Sequence, residues 1–167
     1  MNVFISGSSG LVGGYLKNYF SGATCPNSEE LDLTNQNEVK KYFSKNQFDY
    51  VIHLAAYTGN LQDSASNRIL FLEKNILMNT FITKYAFESG VKNFLGILSN
   101  TIYSDEINDY PIKESFLFDG KPHDDLLPYA FSKRALALQI NSYKEKYGIN
   151  YNYLIPCNLY GIISEKN

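Results

Sequence analysis

The sequence predicts an α/β fold: a doubly wound parallel sheet with helices on both faces. Three observations carry this. Short, almost continuous apolar runs alternate with helix-length segments along all 167 residues, the pattern of strands buried on both faces. The first apolar run passes straight into a glycine-spaced loop and then a helical stretch. The longer helical stretches end at glycine, a usual stop signal.

The elements follow in order. NVFIS (2–6) reads as a buried strand, GSSGLVG (7–13) as the loop, and the helix runs from about Leu11 to Phe20. ATC (23–25) is a weak second strand and ELDL (30–33) a short third. NQNEVKKYFSK (35–45) is amphipathic, and DYVIHLA (49–55) is a strong strand. A long helix covers Arg68 to Glu88 and stops at Ser89-Gly90. NFLGILS (93–99) is the next strand, and 104–127, with Pro111, Gly120 and Pro122, is loop-like. Tyr129 to Tyr147 is helical, opened by Pro128 and closed by Gly148, and YNYLIP (151–156) is the last strand. With no internal repeat or low-complexity linker, one domain is expected over 1–167, and right-handed crossovers give it the doubly wound order.

Bulk properties exclude several classes. Hydrophobic residues make up 44% and charged residues 19%, a globular balance. Net charge is -2 and no basic run occurs, so nucleic acid is not an expected partner. No apolar stretch is long enough to span a bilayer, and the start of the chain lacks the basic and apolar regions of a secretory signal. Cys25 and Cys157 lie far apart without neighbouring histidine. Neither a disulfide framework nor a metal site is expected, and a reducing cytoplasm fits.

Chemistry concentrates in a few stretches. Gly7, Gly10 and Gly13 are spaced GxxGxxG between strand and helix. The first permits a tight turn, the second lets backbone approach a pyrophosphate, and the third allows close packing of helix on strand. The helix N-terminus supplies free N–H groups to the phosphates. An acid that would hold a ribose 2′-hydroxyl is missing from CPNS (25–28), and so is an arginine for a 2′-phosphate. Asn27 and Ser28 could serve either, so the residues leave NAD and NADP open. Glu29 and Glu30 read as solvated charges. Ala55 and Ala56 end a strand with room for a flat ligand, and Ser99, Asn100 and Thr101 end another where such sheets bind ligands. Tyr129 and Lys133 lie one helical turn apart on one face. His53, inside an apolar strand, reads as a core residue rather than a catalyst; His123 reads as a solvated loop residue.

Taken together, GSSGLVG, LDLTN, HLAA, EKNILMNTF, SNTIY, PYAFSK and PCNLYG resemble the extended short-chain dehydrogenase/reductase family of nucleotide-sugar epimerases and reductases, with a Rossmann-like fold. Within it the chain is most similar to the GDP-L-fucose synthase group. The resemblance implies that Tyr129 exchanges a proton with the sugar oxygen, that Lys133 holds the nicotinamide ribose and lowers the tyrosine pKa, and that Ser99 binds the sugar oxygen. It implies a cofactor site of Gly7, Ser9, Gly10, Leu11, Val12, Gly13, Asp32, Leu33, Leu54, Ala55, Ala56, Asn75, Tyr129, Lys133, Pro156 and Asn158, with NADP slightly favoured over NAD. Ser99, Asn100, Tyr129 and Asn158 would meet a nucleotide-linked keto-deoxy sugar, in sugar-nucleotide biosynthesis for surface polysaccharide. Thr101 stands where the group has a cysteine used for epimerisation, and its hydroxyl is a poor proton carrier at neutral pH. Asn100-Thr101 also occupies the place of a 4,6-dehydratase acid pair, so Asp105-Glu106 does not mark that activity.

The resemblance further implies a homodimer through helices 68–88 and 129–147. Most of a C-terminal substrate domain is expected to be missing, leaving apolar surface for a second chain that completes the site. The alternative is a catalytically silent NAD(P)-binding or interaction protein.

Overall fold

The computed structural model describes residues 1–161. Four strands, β1 (Val3–Ser6), β2 (Tyr50–His53), β3 (Asn93–Ile97) and β4 (Asn150–Leu154), form one parallel sheet in the order β1-β2-β3-β4. The register places Val3 beside Tyr50, Tyr50 beside Asn93 and Asn93 beside Asn150, so the strands end level. The helices are α1 (Leu11–Tyr19), α2 (Gln36–Lys45), α3 (Leu61–Ser66), α4 (Arg68–Glu88) and α5 (Leu127–Tyr147).

Alternation along the strands divides the core. Phe4, Val51, Phe94 and Tyr151 face α2, α4 and α5, packing with Val39, Phe43, Ile82, Leu136 and Ile140. Val3, Ile5 and Ile52 point the other way, against Leu16 and Phe20 of α1 and its following loop. Helices thus cover both faces, as expected. Gly96 lets α5 close on the sheet: a Cβ there would stand 2.8 Å from Ile140 Cδ1. The α1 face is thinly covered over β3 and β4. Leu95 and Ile97 are half-buried and Leu154 is 55% exposed.

Three segments differ from expectation. ATC is not a strand: Thr24 makes one parallel bridge to Phe4, giving its N–H to the Val3 carbonyl and accepting from Ile5. Pro26 cannot donate the next ladder bond. ELDL is also not a strand. Asn27 Oδ1 accepts from the Glu29 and Glu30 amides and Asp32 Oδ1 from Thr34, turning the chain twice before α2. Its apolar pair, Leu31 and Leu33, is buried from those turns. The short α3, unanticipated, opens on a capping box between Asn60 and Asp63. No helix among the described residues is long and apolar enough to cross a membrane.

Candidate functional site

The carboxyl ends of β1 and β2 open into a cleft of about 370 Å³, lined by Gly7, Ser8, Ser9, Gly10, Pro26–Ser28, Asp32, Leu33, Leu54–Ala56, Thr58 and Met78 among others. Each glycine of the loop has a separate reason. Gly7 sits at φ +73°, and a Cβ there would stand 2.6 Å from the Ala55 nitrogen. A Cβ on Gly13 would run into the Gly7 carbonyl and Ser8 Cα, so α1 lies directly on the loop. Gly10 is different: its backbone is ordinary, and a Cβ would meet only the Gly7 oxygen at 3.4 Å. Gly10 is also the N-cap of α1 and offers no side-chain cap, and no acid lies in the first turn. The leading amides of α1 therefore remain for an anion. Leu11, Val12 and Gly13 form that first turn behind the loop.

The second part of the site lies on α5. Lys133 is 2% exposed, and its Nζ donates to the Ile97 carbonyl at 2.7 Å and stands 5.7 Å from the Tyr129 ring centre. Burial lowers its pKa to about 8, so the amine still carries its charge at neutral pH. Burial pushes Tyr129 up to about 12, opposite to the lowering expected from the lysine. Desolvation wins over an ammonium that is itself engaged with a carbonyl. Tyr129 and Thr101 share a second cavity of about 220 Å³ with Thr58, Gly59, Ser64, Phe71 and Leu126. Thr58 lines both cavities. Thr101 gives its hydroxyl (3.0 Å) and its amide (3.3 Å) to Ser99 Oγ. With its lone pairs so engaged, Ser99 has its own O–H left to donate.

His53 is wholly buried, as the sequence reading placed it, and its pKa falls to about 3, chiefly by desolvation and then by Lys133. A folded pKa below the unfolded value near 6.5 gives stability that is complete above that pH and lost as pH falls toward 3. The slope is at most about 1.4 kcal/mol per pH unit. In urea unfolding at pH 7.5, 6.5, 5.5 and 4.5, the wild type should lose stability more steeply than His53→Gln. Parallel curves would show that His53 is not held neutral.

Asn75 clamps the loop after β2. Its Oδ1 accepts from the Tyr57 amide (2.9 Å) and its Nδ2 donates to the Tyr57 carbonyl (2.9 Å). Asn100 is exposed beside Ser99, and Pro156 and Asn158 lie past β4, with Asn158 exposed; these three line neither cavity, and neither do Ser99, Asn75 and Lys133. Asn27 has its side-chain oxygen engaged in its own turn. Among the lining residues that the sequence reading passed over are Ser8, Thr58, Ser64 and Met78. Ser8 lay legibly within the glycine loop; the others carry no local signal.

A parallel sheet whose first strand turns through this glycine loop into an uncapped helix, under a cleft at its carboxyl edge, defines a Rossmann-type domain. Residues 3–166 match the NAD dependent epimerase/dehydratase family, and the chain belongs to it. It is 33% identical over 171 residues to a probable GDP-L-fucose synthase of Drosophila melanogaster, covering 95% of this chain and 51% of the relative. Among solved structures, a GDP-L-fucose synthetase from Naegleria fowleri bound to NADP is 32% identical with a TM-score of 0.83, covering 96% of this chain and 51% of that one. A GDP-mannoheptose C4 reductase from Campylobacter jejuni with NADP bound is 27% identical with a TM-score of 0.88, over 95% and 52%. The chain spans about half the length of the curated relatives it matches.

Proposed function

We propose that the chain binds NADP, with NAD as the alternative, and carries the hydride-transfer residues of a reductase acting on a keto carbon of a GDP-linked sugar. The observation that carries this reading is that two cavities meet at one residue. Thr58 lines both the cleft under the glycine loop and the cavity at Tyr129, so a dinucleotide held in the first would pass Thr58 to present its far end in the second. Gly7, Ser9, Gly10 and the α1 amides would hold the diphosphate, Asp32 and Leu33 the adenine side, and Leu54–Ala56 the middle. Lys133 would hold the ribose with the N–H groups not given to Ile97, and Asn75 supports the wall at Tyr57. The absence of a carboxylate in Cys25–Ser28, together with NADP in the two solved relatives, supports NADP. The cofactor, when bound, supplies the hydride.

The residues fit reduction better than proton abstraction. Tyr129, held protonated by its burial, is poised to give its proton to a carbonyl oxygen. Ser99 can donate to the same oxygen, and the Lys133 charge stabilises the tyrosinate left behind. Thr101 orients Ser99 and has no thiol with which to move protons at the neighbouring carbons. Incubation with NADPH and a GDP-linked 4-keto-6-deoxy sugar in D₂O tests this. The expected result is cofactor oxidation without deuterium at carbons 3 or 5; deuterium there would overturn the reductase reading. Because the chain spans half its relatives, cofactor binding without oxidation for any such sugar would favour the silent binding protein.

We also infer a homodimer. Ile69 (70% exposed), Leu72 and Ile76 on α4 and Phe131 and Leu138 on α5 run along one apolar face with a groove of about 270 Å³, fit to be covered by a second copy. Sedimentation should give a dimer that Ile69→Glu/Leu138→Glu dissociates; a wild-type monomer would contradict it. A cytoplasmic setting fits the free thiols of Cys25 and Cys157.

A further inference from the structure

Behind the cleft runs a line of buried hydrogen bonds that the proposed chemistry does not use. Ser6, the last residue of β1, precedes Gly7 directly, and its Oγ lies 2.8 Å from His53 Nδ1. His53 Nε2 lies 2.9 Å from Asn79 Oδ1 on α4. Asn79 Nδ2 donates to the Ser132 carbonyl on α5 at 3.2 Å. Ser132 stands between Tyr129 and Lys133, and its hydroxyl donates to the Tyr129 carbonyl at 2.6 Å. At the other end, Ala55 of the cleft gives its amide to Ser6 Oγ at 3.3 Å.

The directions of these bonds fix one arrangement. Asn79 points its amide nitrogen at a carbonyl, so its oxygen faces His53 and must accept. Nε2 therefore carries the imidazole proton. Nδ1 is bare and accepts from the Ser6 hydroxyl, whose oxygen in turn accepts from Ala55. Ser6, His53 and Asn79 are buried, and each is satisfied in this one direction. Four elements are tied: the ends of β1 and β2 that form the cleft, the long helix α4, and the turn of α5 bearing Tyr129 and Lys133. A core histidine needs partners, but nothing in packing alone requires those partners to lie on the two halves of one site.

Building on the cofactor reading above, we propose that His53 is a positioning residue that keeps the glycine-loop side of the cleft in register with the Tyr129–Lys133 turn. Its consequence is specific. The adenosine-diphosphate end of a dinucleotide touches only the cleft side, and binds alike whether or not the line is intact. The nicotinamide-ribose end needs both sides in register, where misplacement on the ångström scale is costly.

The test compares two probes on the full chain: NADPH and 2′-phospho-ADP, which lacks both the nicotinamide and its ribose. In His53→Phe and in Asn79→Ala, which lines no part of the cleft, the NADPH dissociation constant should rise roughly tenfold. That of 2′-phospho-ADP should stay unchanged within the same assay. His53→Gln, which can keep the donor to Asn79, should recover part of the loss. Should His53→Phe fail to fold, Asn79→Ala carries the same comparison. Equal weakening of both probes, or of neither, overturns the positioning role and leaves the cofactor reading standing. A folded wild type that binds neither probe sinks the cofactor reading itself, and the positioning role with it.

Discussion

Tyr129→Phe should lower any hydride transfer by this protein roughly a thousandfold while leaving NADPH affinity unchanged. The ring stays in place against the Lys133 ammonium, 5.7 Å from its centre, so packing beside the cavity persists. What disappears is the only acidic proton on that side chain. Burial holds the tyrosine near 12 and the lysine near 8. At neutral pH one therefore holds its proton and the other its charge, the arrangement a ketone reduction starts from. Each pKa unit corresponds to about 1.4 kcal/mol, so returning tyrosinate toward neutral pH takes several kcal/mol from the lysine and from the oxidised cofactor. Lys133→Met should then lose both rate and affinity. Turnover retained by Tyr129→Phe would remove the tyrosine from the reaction.

Gly10→Val should weaken dinucleotide binding roughly a hundredfold, about 2.7 kcal/mol, in a chain that still folds. The backbone at Gly10 is extended, φ -82° and ψ 174°, and the space around a Cβ is open except for the Gly7 carbonyl. A side chain there fills the path of the diphosphate rather than the protein. Gly13→Val is the contrasting variant. Its Cβ collides with backbone of the loop, which cannot move aside as a flexible side chain can, so stability is lost together with binding. Circular dichroism and NADPH titration on both variants separate the two. Unchanged affinity in Gly10→Val would mean that the diphosphate does not lie against the loop.

Much of this was legible in the sequence because local pattern and tertiary demand agree. β1, β2 and β3 are apolar runs bounded by turn residues, and α4 and α5 end at glycines with positive φ, Gly90 and Gly148. The loop glycines announced a turn and a helix contact, which Gly7 and Gly13 supply, while at Gly10 the structure shows only an open Cβ position. Where the reading failed, side chains acted at short range against the pattern. Leu31 and Leu33 alternate like a strand, yet Asn27 and Asp32 hydrogen-bond their own backbone into turns. Thr24 begins a strand that Pro26 ends. The six residues of α3 are too few for periodicity to register. The line through Ser6, His53, Asn79 and Ser132 was invisible because it joins four elements far apart in sequence. His53 was read as core, and it is core; its partners could come only from the fold.

A fluorescence titration of the purified 167-residue chain with NADPH, and separately with NADH, tests the central claim most directly. Saturable binding of NADPH, tighter than NADH and weakened in Gly10→Val, is the predicted result. A folded chain that binds neither dinucleotide would contradict it.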